Sequence, residues 1–125
     1  MTENEIATII IEEAIYIHKS IGPGMLESVY AHCLAYRLRL RGLNLKTEVA
    51  VPLIFEEVKL DCGYRADIVV EEKVVIEVKR VEMIGEIHLA QTLTYLRFLK
   101  LKLGLVLNFN EVLMKTGIRR VVNGL

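Results

Sequence analysis

Between residues 45 and 81 the chain runs through three segments rich in valine and isoleucine, Leu45–Phe55, Val58–Val70 and Lys73–Val81, parted only by the acidic pairs Glu56-Glu57 and Glu71-Glu72. β-Branched residues fit a pleated, half-buried surface. Connections this short return a strand only as an antiparallel neighbour, because a parallel return needs a crossover of about a dozen residues or more. The stretch therefore predicts a three-strand meander, and the rest of the chain has to pack on it.

Helical periodicity flanks the meander. Ahead of it, Ile6, Ile9, Ile10, Ala14 and Ile17 recur at helical spacing from Glu5 to Ser20, and Gly22-Pro23-Gly24 ends the pattern. A second pattern from Leu26 to Leu40 sets Leu26, Val29, Tyr30, Cys33 and Leu34 on one side and stops before Gly42. Arg37, Arg39 and Arg41 crowd its last turn, where cations complement the negative end of the helix dipole. Beyond the meander, Gly85 to Lys100 reads as a third helix, Leu103–Leu107 as a buried strand and Ile118–Val122 as a last β-type return. The order predicts an α/β fold, with helices packed on a mixed sheet that contains the antiparallel meander, α-β-β-β-α-β at its core. No linker or repeat interrupts it, and 125 residues suit one hydrophobic core, so residues 1–125 are expected to form a single domain.

With 53% hydrophobic and 26% charged residues the chain is not of the disordered class. That apolar fraction is slightly high for so small a domain, which is consistent with a homo-oligomer whose interface hides part of it. Sixteen basic and sixteen acidic residues cancel. Whole-chain charge thus makes no case for a nucleic-acid partner, and any such case rests on a local basic face, such as one joining Arg37, Arg39 and Arg41 to Arg119-Arg120. Cys33 and Cys62 form no CxxC pair and read as reduced thiols without zinc-type spacing, Cys62 as a core residue. The apolar run Ile6–Ile11 is too short to span a bilayer. With no secretory signal in evidence, a cytoplasmic protein without membrane contact is expected.

Within the meander, nine residues separate Asp67 from Glu77-Val78-Lys79. Side chains alternate along a strand, so Glu77 and Lys79 share one face while Val78 points to the other. A hairpin closed at Glu71-Glu72 lays Asp67 beside Glu77. Two carboxylates make a hard-oxygen site suited to Mg²⁺ or Mn²⁺, and Lys79 would face a substrate phosphate. Charges alternating with valine are equally what a half-exposed strand shows. Other polar residues add to the pattern. Glu27 and Tyr30 fall near each other at the start of the second helix, although a glutamate there also suits the helix dipole. His88, Gln91 and Tyr95 form a polar stripe on the leucine-rich third helix, where a lone histidine is also a common packed or solvated residue. Arg65 lies two residues before Asp67, placed to grip phosphate or to pair with Glu77, the ion pair being the simpler account. Asp61 and Tyr64, on the same segment, read as turn or cross-strand packing residues.

The stretches GPGMLESVY, LDCGYRADIVV, VIEVK and QTLTYL resemble the bacterial GxxExxY family, a branch of the PD-(D/E)XK nuclease superfamily, over nearly the whole chain. Asp67, Glu77 and Lys79 match the D…ExK core, Glu27 the helical acidic position, and Gln91 with Tyr95 the QxxxY motif. The resemblance implies a restriction-endonuclease-like core and divalent-metal-dependent hydrolysis of phosphodiester bonds in nucleic acid, DNA foremost. It further implies Mg²⁺ or Mn²⁺ held by Asp67, Glu77, the Val78 carbonyl and Glu27, directly or through water. Lys79 would then orient the attacking water, and Gln91 and Tyr95 would position substrate. A non-catalytic nucleic-acid- or protein-binding module that keeps the fold is the alternative.

Overall fold

In the computed structural model, which describes residues 1–125, a five-stranded sheet separates two layers of helix. The elements run α1 (Glu3–Ile21), α2 (Glu27–Leu40), β1 (Leu45–Ala50), β2 (Leu53–Phe55), β3 (Val58–Leu60), β4 (Arg65–Val70), β5 (Val74–Lys79), α3 (Glu86–Leu99), β6 (Leu103–Asn108) and β7 (Ile118–Val122). α1 starts at a capping box, in which Thr2 Oγ1 accepts from the Glu5 amide at 3.1 Å and the Glu5 carboxylate accepts from the Thr2 amide at 2.9 Å. Its apolar stripe of Ile6, Ile10, Ala14 and Ile17 packs with Tyr30, Leu34 and Leu38 of α2, and both helices cover one face of the sheet. α3 covers the opposite face through Tyr95 and Leu96, which meet Val75, Val106 and Val121. Gly104 makes that approach close, since a Cβ there would lie 2.7 Å from Thr92. β6, flanked by a strand on each side, has every residue buried.

The strand order is β1-β4-β5-β6-β7, and β5 and β6 are parallel, Val74 facing Leu103 and Lys79 facing Asn108. α3 is the crossover that a parallel pair requires. This is the α/β architecture expected from the order of elements, and it agrees with the restriction-endonuclease-like core that the family resemblance implies.

The meander differs in one respect. Its first two segments each break, so that Leu53–Phe55 and Val58–Leu60 leave the main sheet and pair with each other as a separate two-stranded hairpin. Pro52 has no amide to donate to a ladder, and Gly63 turns the returning chain with φ at +76°. Asp61, Cys62 and Tyr64 therefore lie in irregular chain and are exposed, which corrects the core placement of Cys62 and the strand placement of Asp61 and Tyr64. Three of the arginines expected to share a basic face are engaged within the chain instead. Arg37 and Arg41 turn onto α1, where they clasp the buried carboxylate of Glu13 at 2.7 and 2.8 Å, and Arg41 also meets Glu12 at 3.0 Å. Arg120 donates to Asn4.

Candidate functional site

The ladder between β4 and β5 runs from Val70↔Val74 through Val69↔Val75 to Ile68↔Ile76 and then stops. The same offset sets Asp67 opposite Glu77, and here carboxylates replace the backbone partners. The Asp67 amide donates to Glu77 Oε2 at 2.8 Å, and the Val78 amide donates to Asp67 Oδ2 at 2.7 Å. The two acids thus meet as the spacing predicts, each fixed by the other's strand. Glu77 is 3% exposed and Asp67 half-buried. Lys79 follows on the same face as Glu77, half-buried. Its carbonyl accepts from the Phe109 amide at 3.1 Å. Next to it the fully buried carboxamide of Asn108 accepts from the Val81 and Asn110 amides and donates to the Val81 carbonyl. Asn108 locks the exit of β5, a role that only its position at the end of an apolar run hinted at.

No arginine or lysine forms an ion pair with either acid; the ion pairs of the molecule involve Glu12, Glu13 and Glu72. Burial pushes the Asp67 carboxyl up, against the Val78 hydrogen bond and the Lys79 charge, which pull it down. Burial first, and then the charge of Asp67, push Glu77 up to about 8. Tyr95, buried beside them, is pushed up to about 12 by burial and by Glu77. Two desolvated carboxyls, each making the other harder to ionise, are what a divalent cation offsets, since its charge favours the ionised form of both. No three acidic, histidine or cysteine side chains cage an ion by themselves. Two carboxylates with room for water and phosphate are the donor set that suits Mg²⁺ or Mn²⁺, so the residues fit such an ion.

Two clefts open on either side of the acids. One, of about 510 Å³, is lined by Leu26, Glu27, Glu48, Asp67, Val78 and Arg80 among others. Glu27 reaches it as the exposed first residue of α2, and its charge raises Asp67. Tyr30, its motif partner, lies in the core instead, stacked on Phe109 with ring centroids 4.3 Å apart. The Tyr30 hydroxyl donates to the Gly22 carbonyl at 2.6 Å and accepts from the Met25 amide at 3.1 Å, which ties down the loop that delivers Glu27. Glu48 was missed by the sequence reading. It sits between the paired residues Thr47 and Val49 with φ at +50°, opposite Asp67 in the β1–β4 register, and its charge raises both acids. A left-handed glutamate inside a strand is strained, and strain of this kind gathers at functional sites. No local signal marks it; only the register does.

The second cleft, of about 630 Å³, gathers Lys79, Gln91 and Tyr95 with Leu53, Tyr64 and His88. His88 has a structural task there, its Nδ1 accepting from the Gly85 amide at 2.9 Å at the start of α3. Arg65 donates to the Tyr64 carbonyl and forms no ion pair with Glu77, because its side chain is exposed whereas Glu77 is buried.

A sequence model of the PD-(D/E)XK nuclease superfamily matches residues 4–121, and the chain belongs to that superfamily. No match was found among curated proteins or solved structures. No helix is long and apolar enough to cross a membrane.

Proposed function

We propose that the chain is a divalent-metal-dependent nuclease of the GxxExxY branch, acting as one domain over residues 1–125 on the phosphodiester bonds of nucleic acid, with DNA the first substrate to test. The observation that carries this reading is the buried Asp67–Glu77 pair, fastened by the Asp67 and Val78 amides and left without a cation. Asp67, Glu77 and the Val78 carbonyl would hold Mg²⁺ or Mn²⁺, with Glu27 added directly or through water. A bound ion supplies Lewis acidity at a phosphate oxygen and a lowered pKa at water. Lys79, on the Glu77 face and free of ion pairs, orients the attacking water and stabilises charge that develops on the phosphate. Tyr95 keeps its proton at neutral pH, so its hydroxyl acts as a donor that positions substrate together with the Gln91 amide.

Calorimetric titration of Mn²⁺ into the protein and its Asp67→Ala variant, followed by cleavage assays on single- and double-stranded DNA and RNA, tests this. Binding should vanish in Asp67→Ala, whereas Lys79→Ala should bind Mn²⁺ and fail to cleave. A protein that binds Mn²⁺ and cuts no form of nucleic acid would instead be a binding module on the nuclease fold. A homo-oligomer draws support from the β2–β3 hairpin, where Ile54, Phe55, Val58 and Leu60 are all exposed.

A further inference from the structure

The cleft on the α3 side has a lining that the metal chemistry does not explain. Leu53 stands at the root of the β2–β3 hairpin, Tyr64 at the foot of β4, and Ile87, Gln91 and Tyr95 along α3, with Lys79 at the border of the acid pair. Tyr64 is 44% exposed and braced by Tyr95, the rings meeting edge-on with centroids 6.3 Å apart. Ile87 is 75% exposed, and the half-buried Gln91 amide hydrogen-bonds to no other residue. Aromatic and apolar walls, one amide able both to donate and to accept, and one unpaired cation suit a flat heteroaromatic ring that carries an anionic group. In nucleic acid that description fits a base and its phosphate.

We propose that this cleft binds an unpaired nucleobase next to the scissile phosphate, with the base against Tyr64 and Ile87 and the phosphate at Lys79. The preferred substrate is then single-stranded or locally unpaired nucleic acid. A base inside a duplex is stacked and paired, and it reaches such a cleft only by being flipped out at an energetic cost. Duplex binding without base contact relies on neutralising many phosphates. This chain is poorly equipped for that: its net charge is zero, and Arg37 and Arg41 are engaged by Glu12 and Glu13. Single-strand binding adds base–aromatic stacking to its phosphate contacts, so that less of it has to come from charge.

The inference rests on the nuclease reading for its substrate, but binding tests it without cleavage. Fluorescence anisotropy of a labelled oligothymidylate, and of the same strand annealed to its complement, would be measured with Ca²⁺ and again with EDTA. The single strand should bind more tightly. Tyr64→Ala should weaken single-strand binding by about tenfold or more, the order of one base–aromatic stack, and Tyr64→Phe should retain it. The exposed Tyr64 ring is not part of the core, so the melting temperature should barely move. Equal affinity for duplex and single strand, no single-strand binding in either buffer, or a Tyr64→Ala variant as tight as the parent each overturns the proposal. If the single-strand preference and the Tyr64 effect hold but no form is cleaved with Mn²⁺, it is the nuclease reading that fails.

Discussion

Two glutamates of this molecule are almost equally hidden, Glu13 at 4% exposure and Glu77 at 3%, and they are treated in opposite ways. Glu13, on α1, is met by Arg37 of α2 and by Arg41 just past its end; burial pushes its carboxyl up, but the Arg37 and Arg41 hydrogen bonds outweigh that and hold it below the usual range. Glu77, on β5, is met by another acid and is pushed up to about 8. The first arrangement is complete within the chain and serves to join two helices. The second has no ion-pair partner, and an acid buried in that condition points to a ligand that supplies the positive charge. Burial of an acid therefore says little by itself here; the sign of its neighbours separates scaffold from site.

The largest effect that would sharpen this contrast comes from the scaffold side. Removing both arginines, Arg37→Ala with Arg41→Ala, strands the buried Glu13 charge and should be strongly destabilising, because a buried charge stripped of its partners is costly. Urea denaturation measures it, and the Mn²⁺ isotherm of the surviving fold should be unchanged. A double variant whose stability barely falls would break the comparison, since Glu13 would then need no partner.

The two acids should also give opposite pH slopes. Glu77 keeps a proton in the folded state that the unfolded chain releases near pH 4.5, so its contribution is fully present below that value and is lost as pH rises through about 8. For the metal-free protein the loss is at most on the order of 5 kcal/mol, and Asp67, raised in the same direction, shares in it. Glu13, held low, contributes stability present above its unfolded pKa and lost in acid. Urea melts at pH 5.5 and 8 should show the first decline, and both Glu77→Gln and added Mn²⁺ should flatten it. A slope that Glu77→Gln leaves untouched would rule out Glu77 as its source.

The smallest effect concerns delivery of Glu27. Tyr30→Phe loses the hydroxyl that joins Gly22 to Met25 and should cost about 1 kcal/mol, with a drop in Mn²⁺ affinity below about tenfold, equivalent to less than about 1.4 kcal/mol. Calorimetry reads both quantities. Unchanged affinity would mean that Glu27 takes no part in holding the ion.

Much of this was legible before any coordinates. The three helices lie within two residues of the periodicity reading, because each carries an apolar stripe on a continuous hydrogen-bonded spiral. The meeting of Asp67 with Glu77 was legible for a related reason: one tight turn fixes the register of a hairpin. What escaped detection depends on partners remote in sequence. Leu53–Phe55 is β-type wherever it pairs, so alternation cannot reveal that Pro52 diverts it to a different sheet. Glu48 gained significance only from β1 lying beside β4, and Arg37 and Arg41 looked like helix-end cations until α1 brought Glu13 to them. The apolar character of a thiol predicts a core position for Cys62, whereas its exposure follows from irregular chain between the two sheets.

The short connection between β4 and β5 has a kinetic consequence. Asp67 and Glu77 are 10 residues apart, whereas the Arg37–Glu13 clasp closes over 24 residues and the Asn108–Val81 lock over 27. Loop closure costs more chain entropy as separation grows, and a hairpin closes in about 1–10 μs. The two acids are therefore expected to come together before the long-range clasp and lock close, which higher folding φ values at Val69 and Val75 than at Ile10 and Leu34 would check.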